Sequence, residues 1–303
     1  MFHASFLSNL HDILHEISEN QRISKPGLYL IGTPIGNLVD ISFRALATLQ
    51  AMDVVFCEDT RVTQKLLSAY GLSKPLKVYH THNAAKTKGE MVTLIEGGKS
   101  VGLVSDAGLP LISDPGEGVL SACIEKQLPV TVIPGASAGV MALVGSGLSA
   151  ERFQFVGFLP QKEKDRQACL KSIAASSATL IFYEAPHRLI KTLGFLQEAL
   201  GNRSAAVGRE LTKKFENVQR GTLQELMDHY KNNGTVKGEI VIVVEGCGAV
   251  THEGGQIDEW LRLALGYLRV KDAAALVSSM TGTSKKELYE RALVLKDDKT
   301  ADS

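Results

Sequence analysis

The sequence predicts an α/β protein with a small all-helical end. Three observations carry this: short apolar runs alternate with helical stretches from Gly27 onward, glycine-rich turns follow several of the runs, and a purely helical pattern closes the chain. Residues 1–25 are polar with Phe6, Leu10, Leu14 and Ile17 at helical spacing, which reads as an amphipathic leader helix. LYLIG, DVVFCE, LKVYH, SVGLVSD and PVTVIPG are strand-like, and LVDISFRALATLQAM, TRVTQKLLSAY, GEGVLSACIEK and ASAGVMALVGSG are helical between or after them. Such alternation predicts a mostly parallel sheet over residues 26–149. A second block, 150–248, brings FQFVGFL, ATLIFYEAP, AAVGREL, ENVQRGTL and GEIVIVVEG. The short links among its last three runs predict an antiparallel section, so this sheet is expected to be mixed. Gly246, Gly248, Gly254 and Gly255 read as a linker to the helices of 256–297. The last two of these, joined by Thr281-Gly282-Thr283 with Ser284 as N-cap, resemble a helix-turn-helix, with an apolar face expected from Leu276, Leu288 and Leu293.

With 303 residues, 44% hydrophobic and 22% charged, the chain has the profile of a globular enzyme that buries sizeable cores. Cys57, Cys123, Cys169 and Cys247 lie far apart, which excludes a zinc knuckle or a disulfide framework and favours a reducing compartment. There is no basic-then-apolar leader and no apolar run long enough to span a bilayer, so the expectation is a cytoplasmic protein with no membrane contact. Lys+Arg and Asp+Glu both number 33, a balance that argues against nucleic acid on average. Locally the picture differs: residues 151–214 hold eleven basic against six acidic side chains.

The chemistry is expected at the strand ends. Gly32-Thr33-Pro34-Ile35-Gly36-Asn37 follows the first run, where an α/β sheet places its ligand loop, but it has the spacing of neither a dinucleotide fingerprint nor a phosphate loop. Ser105-Asp106-Ala107-Gly108 follows a later strand, and Asp106 stands where a carboxylate meets ligand hydroxyls or amines. Asp114, in Ser113-Asp114-Pro115-Gly116, reads instead as a turn former and helix cap. Pro134-Gly135-Ala136-Ser137 opens a helix of small residues that another backbone or a flat ligand can approach closely. His80 and His82 in YHTHN read as loop surface, and without clustered ligands no metal is expected.

The order GTPIGNL, CEDTR, VSDAGLPLISDPG, VIPGAS, FVGFLP, IFYEAPHR, GRELTK and KGEIVIVVEG, over about residues 26–247, resembles the tetrapyrrole-methylase superfamily. Within it, EDTR and YEAPHR are similar to the branch that 2′-O-methylates a cytidine in the decoding region of 16S ribosomal RNA, and the terminal helices resemble that branch's C-terminal domain. The resemblance implies two α/β domains with S-adenosylmethionine in the cleft between them, a homodimer, and 16S RNA or the assembled 30S subunit as substrate. It places Pro34, Ser105, Asp106, Ala107, Gly108 and Ser113 on the cofactor wall from the first domain. From the second it places Tyr183, Glu184, Arg209, Gly238 and Glu239, with Pro134 to Ser137 behind the wall. Residues 1–25 lie outside the resemblance.

Methyl transfer from a sulfonium needs an oriented hydroxyl and benefits from a base. Glu58, Asp59, Asp106, Glu184 and Glu210 are the carboxylates available, and Asp59, Arg61 and Glu210 form the expected catalytic set, with a loop-fixing ion pair as the alternative for Asp59 and Arg61. Arg61, Lys65, His187, Arg188, Lys213 and Lys214 suit phosphate contacts, as do Lys285, Lys286 and Arg291 on the last helix. The chief rival is a tetrapyrrole methylase with the same cofactor frame, which a large apolar cleft would favour. A second rival, an RNA-binding assembly factor without catalysis, would have no cofactor affinity.

Overall fold

The computed structural model describes residues 4–21, 25–80, 84–114, 116–234, 236–247, 254–281 and 283–301. Through the first sheet its elements are α1 (Ala4–Gln21), β1 (Gly27–Ile31), α2 (Phe43–Ala51), β2 (Val54–Cys57), α3 (Thr60–Ala69), β3 (Leu76–Val78), α4 (Ala84–Glu96), β4 (Ser100–Leu103), α5 (Glu117–Glu125), β5 (Val130–Ile133) and α6 (Ala138–Ser146). The second sheet brings β6 (Phe153–Phe158), α7 (Glu163–Ile173), β7 (Thr179–Glu184), α8 (Leu189–Leu200), β8 (Ser204–Arg209), β9 (Asn217–Thr222), α9 (Leu223–Asn232) and β10 (Ile240–Val244). Then follow α10 (Gly254–Leu265), α11 (Val270–Thr281) and α12 (Lys285–Ala301).

The first sheet is five-stranded and parallel in the order β3-β2-β4-β1-β5, with β1 and β4 as fully buried central strands. Period-2 alternation assigns its faces. Tyr29, Ile31, Val55 and Cys57 pack under α1, α2 and α3, while Leu28, Leu30, Val54 and Phe56 pack under α4 and α5. The leader helix thus has a structural place, since Leu10 and Leu14 are buried in the first of these cores; the side chain of Phe6 lies outside the described residues. Helix starts follow capping chemistry: Ser42 Oγ accepts from Ala45 N at α2, and Asp59 caps α3. The helical pattern from Leu38 divides into a 3-10 turn, Leu38–Asp40, and α2.

The second sheet runs β6-β7-β10-β8-β9, with β6 parallel to β7 and the other pairs antiparallel. It is mixed, as the short links predict. On β10, Ile240, Ile242 and Val244 face α7, α8 and α9, while Val241 and Val243 face α6. Helix α6 therefore belongs by sequence to the first half and by packing to the second. Its face fits the sheet at ordinary contact distance: a Cβ on Gly139 would stand 3.4 Å from Ile181, and one on Gly145 3.6 Å from Val218. Polar groups fix both ends. Gly139 N donates to the Tyr183 hydroxyl at 3.3 Å, and the Arg220 guanidinium donates to the carbonyls of Gly145 and Ser146, where a cation complements the helix dipole.

Helices α10, α11 and α12 close on their own core of Ile257, Leu261, Ala273, Ala274, Val277, Leu288, Ala292 and Leu295. Of the apolar face expected there, Leu288 is buried, but Leu276 and Leu293 are exposed, because alanines bring the helices together instead. The glycine linker also resolves differently. Gly246 is pinned beside Ser177, its neighbour Cys247 donating to Ser176 O at 2.6 Å, and Gly254 and Gly255 begin α10. Gly248 lies outside the described residues.

The turns after β1 and β5 touch backbone to backbone. A Cβ on Gly32 would lie 2.6 Å from Gly135 Cα, and one on Gly135 2.7 Å from Gly32 Cα. Because backbone cannot yield as a side chain does, Gly32→Ala and Gly135→Ala are each expected to cost about 2 kcal/mol or more in urea unfolding. Gly145→Ala, with only ordinary contact to Val218 and a gain in helix propensity, is the control and is expected to be neutral or stabilising by up to about 1 kcal/mol.

Candidate active site

Three turns at the C-terminal ends of β1, β4 and β5 are locked to one another. Thr33 N donates to Gly108 O at 2.9 Å, Gly108 N returns to Thr33 O at 3.2 Å, and Thr33 Oγ1 reaches Ser105 O at 3.2 Å. The loop after β4 holds Leu111 and Ser113 at φ 76° and 69°, left-handed conformations uncommon for such residues and frequent at functional sites. Opposite stand the end of β7, the start of β10, Phe158 and Leu211. Between them lies a cleft of about 470 Å³.

Its walls are apolar where Ile35, Leu109, Ile112, Phe158, Leu211 and Ile240 meet it. Its charged groups are acidic: Glu58, Asp106, Asp114, Glu184 and Glu239 line it, and no Lys, Arg or His does among the described residues. Burial, reinforced by the neighbouring carboxylates of Asp114 and Asp106, pushes the Glu58 carboxyl above its ordinary range. Asp114 is pushed up by burial too, against an opposing hydrogen bond from Ser105. The Asp106 carboxylate accepts from Asp59 N at 3.1 Å, tying β4's end to that of β2. Glu184 is buried and spent on its own surroundings: it accepts from Ala185 N at 2.8 Å and Thr192 Oγ1 at 2.5 Å, with Arg188 Nε at 3.3 Å. The Tyr183 ring is held edge-on by Phe155 and Phe158, centroids 4.9 and 5.7 Å away.

Of the residues expected on the cofactor wall, Asp106, Ala107, Gly108, Ser113, Tyr183, Glu184, Gly238 and Glu239 border the cleft. Pro34 and Ser105 are buried behind it, Ser105 Oγ donating to Ala107 O at 3.2 Å and so shaping the turn. Arg209 faces away, into a polar pocket with His229, Tyr230 and Lys237, because alternate residues of β8 point to opposite faces. Ala136 and Ser137 line the cleft directly rather than from behind. Asp114 is likewise a lining residue and not a helix cap; Gly116 occupies the cap position of α5. The signal for Asp114 was its place on a glycine-rich loop beside Asp106. Nothing local in the sequence marks Phe158 or Leu211, which reach the cleft only through the packing of the second sheet.

The expected catalytic set is not assembled on the cleft. Asp59 and Arg61 form an exposed bidentate pair, with Arg61 Nη2 at 2.6 Å, and the guanidinium lowers the Asp59 carboxyl to about 2. Glu210 accepts from Glu239 N at 3.0 Å and Lys213 Nζ at 2.9 Å, which together hold its carboxyl low. Among the expected phosphate contacts, Lys65, His187, Lys214, Lys285 and Lys286 are exposed. Lys213 is instead engaged by Glu210 and by Glu239 at 3.2 Å, Arg188 by Glu184 and Leu159 O, and Arg291 by Asp258 at 2.5 Å. No group of three His, Cys, Asp or Glu suited to a metal occurs among the described residues, and no helix there is long and apolar enough to cross a membrane.

Residues 27–227 match the family of tetrapyrrole (corrin/porphyrin) methylases, and residues 251–296 match the RsmI C-terminal HTH domain. Ribosomal RNA small subunit methyltransferase I of Mesorhizobium japonicum is 47% identical over 90% of this chain and 93% of its own. The protein of the same name from Halalkalibacterium halodurans is 42% identical over 90% and 96%. Among solved structures, a diphthine synthase superposes with a TM-score of 0.57 at 17% identity, covering 72% of this chain and 89% of its own. A cobalt precorrin-4 methyltransferase superposes at 0.51 and 19%, covering 72% and 94%; at these identities the likeness is one of fold. The chain is a methyltransferase of the tetrapyrrole (corrin/porphyrin) methylase family, in the group of the ribosomal RNA small subunit methyltransferase I proteins.

Proposed function

We propose that the cleft binds S-adenosylmethionine and that the enzyme methylates the ribose 2′-hydroxyl of a cytidine in the decoding region of 16S ribosomal RNA, as a cytoplasmic homodimer acting on the RNA or the 30S subunit. The observation that supports this most is the acidic, cation-free lining of the cleft. A sulfonium with an amino group is attracted there, whereas the carboxylate-rich periphery of a tetrapyrrole would meet like charge. The residues fit the cofactor in shape as well: apolar walls flank it, and Gly108 at φ 84° and Gly238 at φ 95° turn the backbone along its rim. Outside the cleft the exposed cations Lys65 and Lys214 suit phosphates. The names of the curated relatives support ribosomal RNA as the substrate.

When bound, S-adenosylmethionine supplies an electrophilic methyl group. The protein's task is then to orient the hydroxyl and receive its proton. Glu58 suits the proton role, being the carboxylate of the EDTR motif that lines the cleft, with a proton affinity raised by burial and its acidic neighbours. Asp59, held low by its pair with Arg61, and Glu210, held low by the hydrogen bond from Glu239 N and then by Lys213, serve as anchors for α3 and for the segment at Gly238.

Asp106→Ala is expected to abolish measurable S-adenosylmethionine binding in calorimetry, and retained affinity would remove Asp106 from the site. Because a raised carboxyl acts as a base only once deprotonated, kcat should rise with pH through a value above that of an ordinary glutamate. Glu58→Gln should lower kcat on the order of a hundredfold, leave cofactor affinity within twofold and remove that acid limb; an unchanged limb would exclude Glu58. For α12, Lys285→Gln with Lys286→Gln should weaken RNA binding and flatten its salt dependence without touching cofactor affinity. Arg291→Gln is expected to act differently, lowering the stability of the helical domain through loss of the Asp258 pair. An unaltered salt slope in the double variant would reassign these helices.

A further inference from the structure

The hairpin between β8 and β9 pairs Arg209 with Asn217 and spends seven residues, 210–216, on its turn. That turn is strained and locked. Glu210 and Thr212 sit at φ 53° and 68°, and a β-branched residue in the left-handed region is an outlier that surrounding structure must hold in place. The buried Thr212 Oγ1 has no hydrogen-bond partner, a further cost. What holds the turn is a set of charged contacts: Thr212 N donates to Glu216 Oε2 at 2.5 Å, and Lys213 Nζ bonds both Glu210 and Glu239, at 2.9 and 3.2 Å. The stem of Lys213 lies against Gly36 of the first turn, so the lock spans the mouth of the cleft, which Leu211 and Glu239 line.

Strain held by ion pairs has a single conspicuous product, the display of Lys214 and Phe215. The Phe215 ring is 65% exposed and belongs to none of the apolar cores, with the Lys214 ammonium 5.7 Å from its centroid. A hairpin needs no phenylalanine there, and burial gains nothing from it. Single-stranded nucleic acid is gripped by this pairing of an exposed ring with a neighbouring cation, the ring for a base and the cation for a phosphate.

We propose that Phe215 is a base-stacking platform for a nucleotide flanking the one whose ribose enters the cleft, with Lys214 contacting the adjoining phosphate. This rests on RNA being the substrate. The Glu210–Lys213–Glu239 lock positions the platform relative to the cleft, so that stacking fixes the register of the strand at the reacting hydroxyl.

The test uses full-length protein and 16S RNA, naked and in 30S particles. Loss of one base–aromatic stack is worth roughly tenfold. Phe215→Ala should therefore raise KM for RNA and the RNA Kd about tenfold, with S-adenosylmethionine affinity and Tm unchanged, and Phe215→Trp should restore both to within about threefold. Trp260 is the sole native tryptophan. In a Trp260→Phe background, Phe215→Trp supplies a reporter whose fluorescence should be quenched on adding RNA. A wild-type KM in Phe215→Ala, or an unquenched indole with RNA that is bound and methylated, overturns the platform while leaving the RNA assignment standing. A defect confined to 30S particles, with naked RNA bound as by wild type, would give Phe215 to a protein contact and also overturn it. If the wild-type enzyme neither binds nor methylates RNA, the substrate reading itself has failed and the platform falls with it.

Discussion

Helix α6 lies flat on the second sheet, and the cleft depends on that contact. Ile181 and Val218 pack on the helix at Gly139 and Gly145, and the buried Ala142 and Leu143 share a core with Val241 and Val243. The Tyr183 hydroxyl and the Arg220 guanidinium satisfy groups at its two ends that would otherwise lose hydrogen bonds on burial. Since α6 begins directly after the turn of β5, fixing it also fixes where the strand ends of the first sheet point. The contact of Gly32 with Gly135 and the bridge of Thr33 with Gly108 then carry that constraint across the first sheet. Tyr183 joins the two roles, anchoring α6 through its hydroxyl and walling the cleft with its ring.

Charge is sorted by depth. Burial, reinforced by the neighbouring carboxylates, raises the proton affinity of Glu58 and Asp114 inside the cleft. Glu239 is met by Lys213, and Glu184 by Arg188 and two donors that hold the turn after β7. Lysines outside are either solvent-exposed, as Lys65 and Lys214, or built into locks, as Lys213. Acidic groups thus gather in the cleft while lysines stand outside it, a separation that a net charge of zero conceals.

The sequence by itself determined the strands, most helices and the mixed character of the second sheet, because periodicity and glycine turns are local. The resemblance carried by its motifs placed eight of the lining residues, Asp106, Ala107, Gly108, Ser113, Tyr183, Glu184, Gly238 and Glu239, of which Asp106 is also legible from its position at a strand end. Tertiary structure decided the rest. Which side of β8 Arg209 faces depends on the register with β10, and whether Lys213 or Arg291 is free depends on Glu239 and Asp258, carboxylates distant in sequence. Leu276 and Leu293 obey a helical period yet stay in solvent, since the helix faces that meet are chosen by the fit of Ala273, Ala274 and Ala292. Asp114 reads as a turn former in any window of a few residues; only the approach of Glu58 and the second sheet makes it part of an acidic cleft.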